Sequence, residues 1–113
     1  MTTFNRNIVF YETHFINFYK KQTLGVQKKI DWTLLFLKQT KIVPEKFLKH
    51  LTNSDGIWEV RVSAGQGIFR ILCFFDNDDL VVLLNGFQKK TQKTPRNEIK
   101  RAMRLKKEYY ENR

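Results

Sequence analysis

Short apolar runs and helically spaced stretches alternate along this chain. Asn7 to Tyr11 is apolar enough for a brief first strand, and Glu12-Thr13 offers a start for a helix over His14 to Gln22. After a break at Leu24-Gly25, Val26, Ile30, Leu34 and Leu37 recur at spacings of four, four and three, with Lys28, Lys29, Asp31 and Lys38 elsewhere on the wheel. This predicts an amphipathic helix ending near Thr40. Pro44 follows soon after, and Lys46 to Thr52 has no clean period, so a loop or a short helical turn is expected there.

The next pattern is one of strands. Asn53-Ser54-Asp55-Gly56 is turn chemistry, after which Trp58, Val60 and Val62 alternate with Glu59, Arg61 and Ser63, one set for the core and the other for solvent. Ala64-Gly65-Gln66-Gly67 predicts a hairpin turn into a mostly buried strand, Ile68 to Phe75, whose one charge is Arg70. Asp76-Asn77-Asp78-Asp79 turns the chain again into a nearly all-apolar central strand, Leu80 to Phe87. Thr94-Pro95 opens a last helix, with Thr94 as N-cap and Pro95 in the first helical position. Its buried side draws on Ile99, Ala102, Met103 and Tyr110, and its other face carries Lys100, Arg101, Arg104 and Lys107. The expected fold is a single compact α+β domain over residues 1–113: a short N-terminal strand, two helices, a three-stranded antiparallel meander and a C-terminal helix.

Composition supports one folded unit. At 113 residues with 42% hydrophobic positions and 16 aromatics, the chain has material for one core and no separate regulatory module. The formal charge is +10, and Gly86 to Arg113 holds ten Lys/Arg against three Glu. Such a balance suits nucleic acid, an anionic membrane surface or an acidic protein. Cys73, alone in an apolar run, excludes a disulfide framework and reads as inert packing. His14 and His50 lack metal-ligand spacing, so neither a metal nor a small-molecule cofactor is expected. With no signal peptide and no apolar run of spanning length, the expected compartment is the cytoplasm, without membrane attachment.

Arg61 and Arg70 lie in strands joined by a short hairpin and can stand close together on one face. Glu59 can join one of them in a structural ion pair; otherwise the two planar forks, charged at any working pH, match phosphate oxygens. Lys89, Lys90 and Lys93, interspersed with Thr91 and Gln92, form a basic loop able to grip a nucleic-acid backbone. Trp32 and Trp58 read as core residues. Phe87 has two readings, a base-stacking ring or packing under the last helix, and Tyr109 and Tyr110 close that helix against the core.

Three blocks carry a resemblance: Trp58-Glu59-Val60-Arg61-Val62, Ile68-Phe69-Arg70-Ile71-Leu72, and Leu83 to Pro95, the last being the most specific. Together they resemble the RelE/HigB toxins, in particular their phage-derived, HigB-like branch, over nearly the whole chain. The resemblance implies the toxin of a type II toxin–antitoxin system, a metal-independent endoribonuclease that enters the ribosomal A site and cuts messenger RNA. A ribose 2′-OH attacks the adjacent phosphate and leaves a 2′,3′-cyclic phosphate, so translation is inhibited. It also implies a neutralising helix-turn-helix antitoxin. By position, Arg61, Arg70, Lys89 and Lys90 match the family's active site, and Lys93, Phe87, Lys100, Arg101 and Arg104 become RNA-binding candidates. Asn85 stands where this branch usually has His, and Glu59 where some relatives have Lys. The acid/base pair is therefore open among Lys89, Lys90 and His50. Two other classes stand beside this one: a ParE-like toxin that inhibits DNA gyrase by protein contact, and a non-catalytic basic module for RNA or an acidic protein.

Overall fold

The computed structural model describes residues 4–65 and 67–113; Gln66, in the expected hairpin turn, lies outside them. Eight elements follow in chain order: β1 (Asn7–Phe10), α1 (His14–Lys20), α2 (Leu24–Gln39), β2 (Leu48–His50), β3 (Trp58–Ala64), β4 (Gly67–Asn77), β5 (Leu80–Lys89) and α3 (Arg96–Glu111). The strands form one sheet in the order β1-β5-β4-β3-β2. Its centre is the expected antiparallel meander, with β2 antiparallel on one edge and β1 parallel to β5 on the other.

Both faces of the sheet are covered. Phe15 and Phe18 of α1 and Ile30 and Leu37 of α2 pack against Val60, Val62, Phe69, Ile71, Cys73, Val81 and Leu83. On the opposite face Ile99, Ala102 and Leu105 of α3 meet Leu72, Phe74, Val82 and Leu84. A strand buried on both sides has no polar positions to alternate, which is why β4 and β5 read as continuous apolar runs.

Several boundaries differ from expectation. The α2 helix starts at Leu24 rather than after Gly25, because the Thr23 hydroxyl caps it by accepting from the Val26 N–H at 3.3 Å. Leu48–His50 is a three-residue edge strand, too short for its alternation to register. Thr94 does not cap α3: Pro95 occupies the cap position, and the Thr94 hydroxyl donates instead to Glu59 Oε1 at 2.6 Å. Trp32 is 47% exposed rather than core, while Trp58 is partly buried against the α1/α2 side. Tyr110 is likewise 41% exposed, and its hydroxyl and that of Tyr109 both donate to Asp76, at 3.0 and 2.8 Å.

One irregularity decides which face the end of β5 presents. Ile71 pairs with Gly86 and Cys73 with Leu83, so Leu72 alone opposes both Leu84 and Asn85. This β-bulge shifts the alternation by one residue. Val82 and Leu84 face α3 before it, and Phe87 faces α3 after it. Without the extra residue, Phe87 and Lys89 would point to the α1/α2 side.

Candidate functional site

The site lies on the α3 face of the sheet, at the end where β2, β3 and β5 meet the loop leading to α3. Arg61 and Arg70 are direct partners across β3 and β4. Like charges so placed repel, and Glu59 relieves the repulsion. Its carboxylate, 2% exposed, accepts from Arg61 Nε at 3.0 Å through Oε2 and from Thr94 through Oε1, and Arg70 Nε stands 3.6 Å from Oε1. The alternation that assigned Glu59 to solvent holds for its direction but not for its burial, because the segment entering α3 closes over it.

Arg70 is the more enclosed arginine. Its Nη1 donates to the Phe69 carbonyl at 3.1 Å, while its buried Nε makes no hydrogen bond. At 3.6 Å the attraction to Glu59 is electrostatic only. Burial lowers the Arg70 pKa, Glu59 raises it and Arg61 lowers it further. Arg61 is more accessible, with a second contact from Nη1 to the Glu45 carbonyl at 3.4 Å.

Beside Glu59 and Arg61 opens a cleft of about 440 Å³, walled by Lys49, His50, Arg61, Lys89, Lys93 and Thr94 among others, with Glu59 in its floor; Arg70, buried, does not line it. Such a volume is in the range of small-ligand pockets. Lys89 is the last residue of β5, not part of the loop, and its pKa is lowered, first by burial and then by Arg70, with Glu59 opposing. His50 shares the wall, but its ring packs edge-on against Trp58 at 5.1 Å. Lys49 is the residue sequence reasoning passed over; it pairs with Glu59 across β2 and β3, and only recognition of that edge strand would have placed it here.

The remaining candidates are dispersed. Lys90 is exposed and outside the cleft wall, and Phe87 is packed with the α3 core. Lys100 is exposed on α3; Arg101 reaches His14 Nδ1 at 3.2 Å, and Arg104 pairs with Glu108 at 3.5 Å. From α3 itself the cleft takes only Ile99. Asn85 is buried and donates from Nδ2 to Glu98 Oε1 at 2.9 Å, tying the bulge to the first turn of α3. Burial pushes the Cys73 thiol up to about 12, which leaves it unreactive. Larger hollows of about 670 and 690 Å³, beside Arg6 and along the C-terminal half of α3, do not include Arg61 or Lys89. Among the described residues no three His, Cys, Asp or Glu gather as a metal site, and no helix is long and apolar enough to cross a membrane.

Residues 17–107 match the family described as "Phage derived protein Gp49-like (DUF891)". The chain belongs to this family. It is a family of RelE/HigB-type toxins, and the toxin–antitoxin class expected from the three sequence blocks stands. Among solved structures, the fold is similar to that of the archaeal RelE–RelB complex from Pyrococcus horikoshii, with a TM-score of 0.56 and 12% identity over 80% of this chain and 99% of that one. No curated protein matches the chain by sequence. The shared fold of this Gp49-like chain and RelE is thus carried by hydrophobic pattern and topology at very low identity.

Proposed function

We propose that this Gp49-like toxin is a metal-independent endoribonuclease that cuts messenger RNA on the ribosome, with the cleft at Arg61 and Lys89 as its active site. The observation that carries this reading is the charge arrangement: four cations, Lys49, Arg61, Lys89 and Lys93, line the cleft with one carboxylate, Glu59, whose oxygens are already occupied, and a fifth, the buried Arg70, stands 3.6 Å from that carboxylate. The excess positive charge awaits an anion, and a phosphodiester fits both the arginine fork and the cleft volume.

RNA carries its own nucleophile, so the protein has to align the 2′-oxygen with the phosphate, hold the charge that builds on the non-bridging oxygens, and deliver a proton to the departing 5′-oxygen. Arg61, fixed at Nε by Glu59, directs its remaining donors to those oxygens. Arg70 supplies positive potential from behind Glu59. Lys89, with its lowered pKa, is the proton donor to the 5′-oxygen, and Lys93 holds the neighbouring backbone. Bond formation between the 2′-oxygen and phosphorus, with the 2′-hydroxyl proton passing to solvent water, and rupture of the bond to the 5′-oxygen, which takes its proton from Lys89, leave a 2′,3′-cyclic phosphate and a free 5′-hydroxyl.

The partner in this reading is a cognate antitoxin, of helix-turn-helix type, that covers the basic cleft until the toxin is released into the cytoplasm. The solved RelE structure, itself a complex with RelB, supports such a partner. Primer extension on messages from a translating extract tests the reading, with intact and puromycin-stripped ribosomes. Discrete cuts that need ribosomes and disappear with Arg61→Ala are expected. Intact messages with inhibited DNA supercoiling would move the protein to the gyrase-inhibiting class, and salt-sensitive RNA binding without any cut would leave a binding module.

A further inference from the structure

A second, smaller cleft of about 350 Å³ lies beside the first and shares Arg61 with it. Its wall is Lys29, Trp32, Lys46, Phe47, Arg61 and Ser63: three cations, two aromatic rings and a hydroxyl, with no carboxylate. The aromatic part is held firmly. Trp32 stacks on Phe36 at 5.4 Å with planes 4° apart, and Phe47 packs on both rings at 5.7 and 5.0 Å. Phe47 is tied to the active-site strand, since its carbonyl accepts from the Arg61 N–H at 2.8 Å. The cations sit directly on the rings, Lys29 Nζ at 4.8 Å from the Trp32 centroid and Lys46 Nζ at 5.6 Å from that of Phe47.

An exposed indole is costly to keep in water, and this one is buttressed from behind rather than folded into the core. Flat π-surface interleaved with ammonium groups recognises a ligand that is itself planar and anionic by turns, which describes a single-stranded nucleic acid. We infer that the Trp32–Phe47 shelf is a second nucleotide subsite: the Lys29 ammonium swings off the indole to a flanking phosphate, a base of the RNA strand adjacent to the one held in the Arg61–Lys89 cleft stacks in its place, and Lys46 holds the other flanking phosphate. Arg61 is the junction: pinned by Glu59 on one side and by the Glu45 carbonyl on the other, it borders both clefts and so sets the direction in which the strand leaves the cutting site. The inference rests on the reading of the first cleft as an RNA site and adds the path of the strand beyond it.

The test uses a fluorescent 2′-O-methyl hexanucleotide, which cannot be cut because its nucleophile is blocked, alongside a 2′-O-methyl dinucleotide and a hexaglutamate peptide. Binding is followed by anisotropy on the full chain. The hexanucleotide should bind more tightly than the dinucleotide. Trp32→Ala should weaken the hexanucleotide about tenfold, within the range for one stacked base, and leave the dinucleotide unchanged. Trp32→Phe should restore most of the loss, and Lys46→Gln should weaken the hexanucleotide with a smaller salt dependence. Equal hexanucleotide affinity in Trp32→Ala and wild type, at matched melting temperatures, would overturn the subsite. So would a hexaglutamate that binds as tightly as the hexanucleotide and shows the same loss, since the shelf would then belong to an acidic protein segment. Trp32-dependent binding without any message cleavage would instead remove the nuclease reading and leave the subsite standing.

Discussion

Glu59 is the residue on which the candidate site turns. Replacing it with Gln leaves Arg61 and Arg70 facing one another across two strands with no counter-charge, and removing one partner of a buried ionic cluster typically costs about 3–5 kcal/mol. Urea titration of Glu59→Gln should show a loss near the lower end of that range, because Arg61 is partly solvated. Lys89 gives a prediction of a different kind. A proton donor works only while protonated, so its activity falls as pH rises through its pKa, which here lies below the ordinary lysine value of 10.5. The pH–rate profile should therefore bend downward on the alkaline side below that value. Lys89→Arg, which keeps the charge but cannot release the proton, should lower the rate and abolish the bend. Both residues were visible in the sequence as charges, but the burial of Glu59 was not. Strand alternation reports direction from the sheet, whereas burial depends on the Thr94 segment arriving from thirty-five positions away.

At the scale of elements, the helices and the meander were legible because each carries its own period over many residues, as Val26, Ile30, Leu34 and Leu37 do in α2. What escaped was set by pairing between strands. Leu48–His50 is defined only by its register with Trp58–Val60, and the extension of β5 to Lys89 only by the register with Ile68. The bulge at Leu84–Asn85 is likewise invisible in a uniformly apolar run, yet it turns Lys89 toward Arg70 and not away from it. Gly86, the next residue, is held tightly: a Cβ there would collide with the Phe18 ring of α1. Gly86→Ala should cost about 2 kcal/mol by overpacking. For a domain of this size that lowers Tm by roughly 10 °C, a shift that differential scanning calorimetry resolves.

For the molecule as a whole, the net charge of +10 sets the long-range behaviour, and in the proposed RNA reading the two clefts sharing Arg61 set where it is used. Binding to single-stranded RNA should weaken linearly with the logarithm of salt concentration, and Lys93→Gln should reduce the slope by about 0.7, the value for one phosphate contact on a single strand. Lys100→Gln, on the far side of α3 from the cleft, should change the slope less; equal changes would spread the RNA footprint over the whole basic surface. The parallel pairing of β1 with β5 has a consequence for synthesis. Asn7 to Phe10 finds its partner only in Leu80 to Leu83, so the earliest strand to leave the ribosome waits for the last. Until then β1 and the outer edge of β4 remain open templates for other chains. A chain truncated before Leu80 thus lacks Lys89 and Lys93 of the cleft and the β5 strand of its sheet at once, and meets proteases and aggregation before any ligand.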